Sequence, residues 1–334
     1  MDPDARAAAD AFGLPRDLSA QSLCKYGPVY HIADRSGDLV LKRTGYPHSG
    51  AIAIGAWLRF LKGRAIDVVA PVDRFSPNPR SVGGNADCWV VYPFIPGAQF
   101  TGGGSQLEAA GSLLAAIHVE GELFVDGLMV VDELPVHDIS WTNEHIGRAT
   151  EAVERYAPDL SEMFLERINT RISQLESDEI KRTNSHIKLA ACSWDFKASN
   201  LIVNAERRPV LIDPNHAGRI PRIYDLACAA LQFNCDHPPS PARIFNRREW
   251  RAFRDSYLSK AGLTQGEYAI WKSVLTLAWL DQGVWLLGNW PEGWEDRREL
   301  PYLRDLAVNT LDHLGLGKGP NVRTTDAGTA MREN

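Results

Sequence analysis

The polar residues best suited to chemistry lie at the two ends of one short predicted hairpin. Asp195 precedes Asn200 by five residues, and Asp213 follows the apolar runs 201–203 and 210–212. Runs rich in β-branched residues on either side of a polar turn favour a β-hairpin. This hairpin brings Asn200, before its first strand, close to Asp213, after its second. The sequence therefore predicts that two carboxylates and an amide converge on one site.

Oxygen ligands of this kind suit a hard cation such as Mg²⁺, which binds one or two carboxylates together with substrate phosphates. In protein kinases, an Asp accepts the proton of the attacking hydroxyl, an Asn five residues later binds metal, and a second Asp binds Mg²⁺. Asp195, Asn200 and Asp213 fit that spacing. We predict all three as catalytic residues, with Asn200 and Asp213 as the Mg²⁺ ligands.

Residues 192–227 resemble the aminoglycoside phosphotransferase family of protein-kinase-like small-molecule kinases. The catalytic loop of that family usually reads His-Gly-Asp-x-x-x-x-Asn, and a Tyr-Asp-Leu-Ala-like run opens its next helix. The run Tyr-Asp-Leu-Ala occurs here at 224–227, and the resemblance implies that its Asp225 braces the catalytic loop.

Two departures from the family pattern leave an alternative open. Ser193 and Trp194 stand in place of His-Gly, and Asp213-Pro-Asn stands in place of the kinase Asp-Phe-Gly. The usual His hydrogen bond and the glycine hinge are therefore missing. A nucleotide-binding pseudokinase without turnover is one alternative, and an ordinary hairpin with polar loops is another.

Composition indicates the general class of protein. The chain has 334 residues, 44% of them hydrophobic and 23% charged, which is typical of a soluble chain with enough residues for two cores. A net charge of −6 argues against a general nucleic-acid binder. The five cysteines have no Cys-x-x-Cys spacing and the N-terminus lacks an apolar signal core. We expect a cytoplasmic protein with no nucleic-acid or membrane partner, and the oligomeric state is open.

The resemblance implies an α+β, two-lobed, protein-kinase-like fold. A small β-rich N-terminal lobe would span residues 1–95 and bind the nucleotide, with the hinge near 92–97. A larger, mainly helical lobe would span 96–317 and carry the catalytic loop and the acceptor site. Residues 318–334 are polar and contain glycine, so we expect a flexible tail.

The resemblance also implies the nucleotide contacts. Lys42 corresponds to the strand lysine that holds the phosphates of ATP or GTP, although a solvated lysine on an edge strand is an alternative. Backbone groups of Tyr92, Phe94 and Ile95 would bind the base. Pro93 has no N–H, so the Phe94 N–H or a neighbouring carbonyl would serve. A nucleotide-covering loop would lie at 26–28, where one glycine equally suits an ordinary turn.

Lys42 lacks its usual acidic partner, because residues 1–107 contain no glutamate. Either Lys42 contacts phosphate and Asp213 directly, or a non-Glu partner such as Asp38, Asp67 or a His replaces the glutamate. Holding a free lysine in one rotamer costs roughly 1.5–2 kcal/mol of side-chain entropy. We therefore expect Lys42 to be mobile without nucleotide.

The acceptor site is predicted in the tryptophan-rich region 271–296. Aromatic faces beside acids suit a sugar-like or cationic ligand through stacking and cation–π attraction. Tryptophans at helical spacing are nevertheless more often core residues. The candidate substrate-binding residues are Asp281, Trp285, Glu292, Trp294 and Glu295. His118, which also matches a family position, is expected to be structural.

We therefore predict a Mg²⁺-dependent phosphotransferase that moves the γ-phosphoryl of ATP or GTP to a hydroxyl of a small molecule. The resemblance most often implies antibiotic resistance, with an aminoglycoside, aminocyclitol or nucleoside as acceptor. A kinase of a choline-like or amino-alcohol metabolite is an alternative. The pseudokinase, and a non-catalytic interaction protein that binds no nucleotide, are alternatives from other classes.

Overall fold

The computed structural model describes residues 3–15, 22–24, 27–45, 47–82, 88–134, 139–177, 187–237, 239 and 241–317. Tyr26 of the predicted nucleotide-covering loop and the predicted tail 318–334 lie outside these residues. None of the described helices is long and apolar enough to cross a membrane.

An antiparallel sheet with strand order β1-β2-β4-β3 forms the small lobe. Its strands are β1 (Val29–Ile32), β2 (Leu39–Thr44), β3 (Arg80–Ser81) and β4 (Cys88–Pro93), with α1 (Pro3–Phe12) and α2 (His48–Gly63) around them. Side chains alternate between the faces of a strand. Leu39 and Leu41 accordingly pack with α1 in a small core, whereas Val40 faces the large core shared with the helical lobe.

The larger lobe is mainly helical. Its helices are α3 (Gly104–Gly121), α4 (Ile139–Tyr156), α5 (Ser161–Ser177), α6 (Arg222–Gln232), α7 (Arg247–Lys260), α8 (Gln265–Ala278), α9 (Val284–Asn289), α10 (Pro291–Glu295) and α11 (Leu300–Val308). Two small antiparallel sheets carry the loops between them, one with the order β5-β7-β8 and one that pairs β6 with β9. Their strands are β5 (Ala98–Gln99), β6 (Leu189–Cys192), β7 (Leu201–Val203), β8 (Pro209–Leu211) and β9 (Gly218–Pro221).

Strand β8 also connects the two lobes. The Val69 N–H donates to the Leu211 carbonyl at 3.0 Å, and the Leu211 N–H donates to the Asp67 carbonyl at 3.0 Å. The chain that follows α2 is thereby attached to the predicted catalytic hairpin. The position of the hairpin is consequently fixed relative to the sheet that carries Lys42.

The two-lobed α+β fold predicted from the sequence is confirmed. The helical region 271–287 is not one continuous α-helix. It contains a π-helical turn, Trp279–Gly283, between α8 and α9. Such turns are rare and occur frequently at functional sites. This one contains Asp281, one of the predicted acceptor-binding residues.

A buried ion-pair network connects α6 with α8. The Arg222 guanidinium is 1% exposed and donates from Nε and Nη2 to the two carboxylate oxygens of Glu267, at 2.8 and 2.7 Å. Its Nη1 donates to Glu122 at 2.7 Å. Glu267 also forms a capping box with Thr264 at the start of α8. A buried charge is tolerated when it is paired and hydrogen-bonded in this way.

We expect Gly111→Ala to destabilise the fold, because α3 and α7 meet at this glycine. A Cβ at position 111 would lie 2.1 Å from the backbone oxygen of Phe253. Overpacking of this kind costs roughly 1–3 kcal/mol. Gly147→Ala on α4 is the matched control, because a Cβ there meets nothing within 4 Å and alanine gains up to about 1 kcal/mol in a helix. Urea unfolding of both variants tests this, and a Gly111→Ala protein as stable as Gly147→Ala would contradict the close helix contact.

Candidate active site

The hairpin brings the predicted catalytic residues together. β7 pairs with β8, with Leu201 opposite Leu211, and the Ile212 N–H donates to the Asn200 carbonyl at 2.9 Å. Asn200 and Asp213 therefore lie at adjoining ends of the two strands. Asn200 Nδ2 also donates to the Asp195 carboxylate at 2.9 Å and to its carbonyl at 2.8 Å. The amide consequently sets the orientation of the Asp195 side chain.

Lys42 is already paired in this structure. Its ammonium contacts Asp213 Oδ1, and Lys42 is only 7% exposed, whereas the Asp213 side chain is 33% exposed. The expectation of a mobile Lys42 is therefore wrong. Asp213 itself takes the place of the missing glutamate, since the β2 strand and the hairpin hold the two side chains against each other. A buried ammonium needs such a partner, because burial without one is costly.

Lys197 is a site residue that the sequence reasoning missed. Its Nζ lies 3.1 Å from Asp195 Oδ1, so the ammonium and the Asn200 amide hold the two oxygens of one carboxylate. Burial lowers the pKa of Lys197, but the charge and hydrogen bond of Asp195, together with the charges of Cys235 and Asp236, raise this pKa by more. The signal available in the sequence was a basic residue two positions after the predicted base.

Two side-chain oxygens at the ends of the hairpin are suited to bind a hard cation. Asn200 Oδ1 and Asp213 Oδ2 accept no hydrogen bond from any residue that the structure describes. An amide oxygen and a carboxylate oxygen on adjoining strand ends are ligands that Mg²⁺ accepts. The residues present therefore agree with the predicted pair of metal ligands.

Ser193 and Trp194 occupy the two loop positions where the family pattern has His-Gly. Trp194 has φ 54°, a left-handed conformation that glycine adopts freely and that costs a bulky residue roughly 1–2 kcal/mol. The glycine of the family pattern is therefore replaced without loss of the backbone turn. Ser193 Oγ is buried and has no hydrogen-bond partner in the described part of the chain. The serine consequently does not substitute for the hydrogen bond of a histidine.

The bracing of the catalytic loop differs from the expectation for Asp225. Asp225 is fully buried, and its Oδ2 pairs with His118 Nε2 at 2.8 Å, while Oδ1 bonds to none of the described residues. Asp225 thus makes no direct hydrogen bond to the loop. His118 is structural, as expected, since its Nδ1 lies 2.8 Å from the Tyr257 hydroxyl.

Packing and one backbone hydrogen bond hold the loop instead. The Ala198 N–H donates to the Phe233 carbonyl at 2.8 Å. The Phe196 ring lies in an aromatic cluster, 6.1 Å from the Phe233 ring and 6.3 Å from the Phe253 ring. The loop is therefore held between α6 and α7, with Asp195 at its solvent-accessible end.

The predicted hinge residues differ in whether their backbone N–H groups can bind a nucleotide base. The Phe94 N–H donates to the Asp38 carbonyl at 2.9 Å, and the Phe94 ring packs edge-on against His31. This N–H is therefore engaged within the protein, and of the two predicted alternatives a neighbouring carbonyl stays open. Tyr92 pairs with Val40 in the sheet. Burial raises the pKa of Tyr92, and the nearby Asp213 carboxylate raises it further. The Ile95 N–H has no partner among the described residues, so it is the hinge donor that remains.

Asp281 is buried against α6. It is 5% exposed and accepts hydrogen bonds from the Tyr224 hydroxyl and, at 2.9 Å, from Gln282 Nε2. The pKa of the Cys228 thiol is raised by burial and also by the charges of Asp225, Asp281 and Asp195. Asp281 and Asp195 therefore act on the same buried thiol. Four residues beyond Asp281, the Trp285 side chain is 45% exposed.

The remaining acceptor candidates lie on α10, which packs against α4 and α11. Trp294 is 3% exposed, stacks on Tyr156 at 5.9 Å and donates from Nε1 to the Leu287 carbonyl at 2.8 Å. It is a core residue, and its prediction as a ligand-stacking residue is wrong in this arrangement. Glu292 and Glu295 are exposed, so their carboxylates can be reached from solvent.

Comparison with known proteins agrees with this geometry. A family model described as the phosphotransferase enzyme family matches residues 26–274. A search of curated proteins returned no match.

Three solved structures illustrate the similarity in fold. An amicoumacin kinase in complex with AMP-PNP, Ca²⁺ and Ami is 16% identical with a TM-score of 0.60, covering 92% of this chain and 91% of its own. An aminoglycoside phosphotransferase from Alicyclobacillus acidocaldarius is 13% identical with a TM-score of 0.60, covering 87% of each chain. A microcompartment-associated aminopropanol kinase is 14% identical with a TM-score of 0.57, covering 91% of this chain and 93% of its own.

The match to the family model spans most of the chain, from the strand region before Lys42 to the end of α8, and includes the catalytic hairpin. The similarity to solved small-molecule kinases extends over both lobes. The chain therefore belongs to the phosphotransferase enzyme family, and its fold is that of the kinase-like small-molecule phosphotransferases.

Proposed function

We propose that this protein transfers the γ-phosphoryl group of a nucleoside triphosphate, ATP or GTP, to a hydroxyl of a small cationic or sugar-like molecule. The observation that carries the proposal is the convergence of two contacts at the hairpin ends, Lys42 with Asp213 and Asn200 with Asp195. The Ile212 N–H joins these two ends by donating to the Asn200 carbonyl. The side chains of the two contacts offer a phosphate-binding cation, oxygens for Mg²⁺ and a base. Phosphoryl transfer requires these groups, because its catalysis is mostly positioning and charge neutralisation.

The chain's own residues would perform distinct steps. Asp195, fixed by Lys197 and Asn200, would orient the acceptor hydroxyl. It would accept the hydroxyl proton as the new P–O bond forms and the bond to the leaving nucleoside diphosphate breaks. Lys42 would hold donor phosphates. Mg²⁺, held by Asn200 and Asp213 when bound, would neutralise phosphate charge. The Ile95 N–H, together with a hinge carbonyl, would bind the edge of the base.

The acceptor would lie between the catalytic loop and the π-helical turn. Asp281 would supply a negative charge, and Trp285 would supply an exposed aromatic face one helical turn later. A cation over an aromatic ring gains about 0.5–2 kcal/mol. Glu292 and Glu295 would extend the negative surface. This chemistry favours an amine-bearing acceptor, and we propose an aminoglycoside, aminocyclitol or nucleoside antibiotic, so that the reaction confers resistance.

We propose the lobe boundary as well: the N-terminal lobe ends near residue 95, and the hinge lies near 92–97.

We also propose that the protein works in the reducing cytoplasm. Cys88, Cys192, Cys228 and Cys235 are buried and form no disulfide. Unpaired buried thiols are usual in reducing compartments.

The test is a two-stage assay of the purified protein. Thermal shift with Mg·ATP and Mg·GTP comes first, and the Tm should rise with at least one nucleotide. Turnover of that nucleotide is then measured across a panel of aminoglycosides, aminocyclitols, nucleoside antibiotics and amino-alcohols. We expect acceptor-dependent release of the nucleoside diphosphate with an antibiotic. Turnover with an amino-alcohol alone would overturn the resistance assignment, and nucleotide binding without any turnover would indicate a pseudokinase.

We expect Lys197→Met to lower kcat more than it raises the KM for nucleotide. The substitution keeps the length of the side chain but removes the ammonium from Asp195 Oδ1, so the base loses one of its two fixed contacts. We expect a loss of about 10–10²-fold in kcat, below the full contribution of a general base, about 10²–10⁴-fold. An unchanged kcat would show that Lys197 does not position Asp195.

A further inference from the structure

A small pocket lies on the side of α5 that faces the chain after α11. It has a volume of about 140 Å³ and is lined by Arg167, Thr170, Arg171, Gln174, Thr310 and Asp312. The first four of these residues are three or four apart along α5, which places them on one face of the helix. A water molecule takes roughly 30 Å³ of liquid volume. The pocket therefore has room for a small polyatomic ion with accompanying water.

Arg171 has an unusual environment for an arginine. It is 4% exposed, and its guanidinium carbon lies 3.7 Å from the centre of the Trp279 ring. Nη2 donates to the Asn309 carbonyl. Nη1 is buried without any hydrogen-bond partner in the described part of the chain, and Nε donates to none of those residues either. Nearly all buried polar groups in proteins are hydrogen-bonded, so this guanidinium has unused donors at its edge.

The positive charge here is also incompletely balanced. Arg167 lies one turn before Arg171 and donates its Nε to the neutral Val308 carbonyl at 3.1 Å. Asp312 is the acidic member of the pocket lining, and it is exposed. Burial and the neighbouring Arg167 lower the pKa of Arg171, Asp312 partly opposes them, and the resulting pKa is about 9. Two guanidinium groups and one exposed carboxylate leave a net positive charge at the pocket.

We propose that this pocket binds a small tetrahedral oxyanion of the phosphate type. The Trp279 ring covers one face of the Arg171 guanidinium, so an anion would approach its edge, where guanidinium groups bind oxyanions through parallel N–H donors. Arg167 would supply the second positive charge. The Thr170 and Thr310 hydroxyls and the Gln174 amide are neutral donors in the same lining. The site is separate from the residues of the proposed phosphoryl transfer and does not depend on that function.

The test uses the Tm of the full chain in sodium phosphate and in sodium chloride at equal ionic strength. A ligand that binds the folded state raises its stability with concentration. Phosphate should raise the wild-type Tm above the chloride value. Arg167→Gln should lose at least half of this phosphate-specific increase. Arg251→Gln is the matched control, because Arg251 is an exposed arginine on α7, and it should retain the increase.

A second variant tests Arg171, the buried one of the two arginines that line the pocket. Arg171→Met keeps an unbranched side chain beside Trp279 and removes the charge. It should lose the phosphate-specific increase in Tm, and its Tm in chloride should be close to that of the wild type, since replacing a buried unpaired charge by an apolar group is often neutral or stabilising. Phosphate bound at the nucleotide site would raise the Tm of the wild type and of all three variants by the same amount. Equal increases in the wild type, Arg167→Gln and Arg251→Gln would overturn the proposal, even if Arg171→Met does not fold.

Discussion

Asp195→Asn is expected to lower kcat by about 10²-fold or more while leaving the affinity for Mg·nucleotide nearly unchanged. Asparagine has almost the same shape, and its one side-chain oxygen can still accept from either Asn200 or Lys197, but it cannot accept the proton of the acceptor hydroxyl. General-base catalysis contributes typically about 10²–10⁴-fold. The comparison requires kcat with the best acceptor found in the panel and the Kd for Mg·nucleotide measured by calorimetry.

Asp255→Asn is the matched control for this substitution. Asp255 is an exposed carboxylate on α7 whose partner is the adjacent Arg254, so its loss should change neither kcat nor Kd. Full activity of Asp195→Asn would exclude Asp195 as the base. A large loss of nucleotide affinity in Asp195→Asn would instead indicate that the Asp195 carboxylate is a metal ligand.

The catalytic hairpin was predictable because its signals are local. Two β-branched runs around a polar turn determine the pairing of β7 with β8, and the pairing alone brings Asn200 and Asp213 together. The five-residue spacing from Asp195 to Asn200 is also short, so one loop suffices to join them by a hydrogen bond. The kinase-like fold followed from a resemblance over the same short segment.

The contacts that the sequence left open are between residues far apart in the chain. Lys42 meets Asp213 across the two lobes, and this contact depends on how β8 attaches to residues 67–69. The absence of glutamate from residues 1–107 therefore left two alternatives for the partner of Lys42, and direct contact with Asp213 is the one that the structure has.

Composition was equally ambiguous about the aromatic residues. Trp285 and Trp294 occur in one tryptophan-rich segment, yet the first is 45% exposed and the second 3% exposed. The π-helical turn at Trp279–Gly283 changes the direction in which the following side chains point. The availability of the Phe94 N–H likewise depended on the register of β2 and β4, in which Leu39 lies opposite Pro93. Neither feature has a local sequence signal.

Asp213→Ala should remove most of the gain in nucleotide affinity that Mg²⁺ provides. The substitution deletes Oδ2, which is open to a cation, and also Oδ1, which holds Lys42. Asn200 offers only a neutral amide oxygen and cannot replace the lost charge. Residues that merely orient metal ligands already contribute roughly 10–100-fold to metal affinity, so the loss of a direct ligand should be at least about tenfold.

Measuring the nucleotide Kd with Mg²⁺ and with EDTA separates the two roles of Asp213. Loss of the metal ligand should weaken binding only when Mg²⁺ is present, whereas release of the Lys42 ammonium should change the Kd in EDTA as well. Lys42→Met provides the complementary variant, because it leaves both Asp213 oxygens in place. It should weaken nucleotide binding with and without Mg²⁺. If Asp213→Ala binds nucleotide as tightly as the wild type at limiting Mg²⁺, the metal is held elsewhere and the pairing of Lys42 with Asp213 is a purely structural contact.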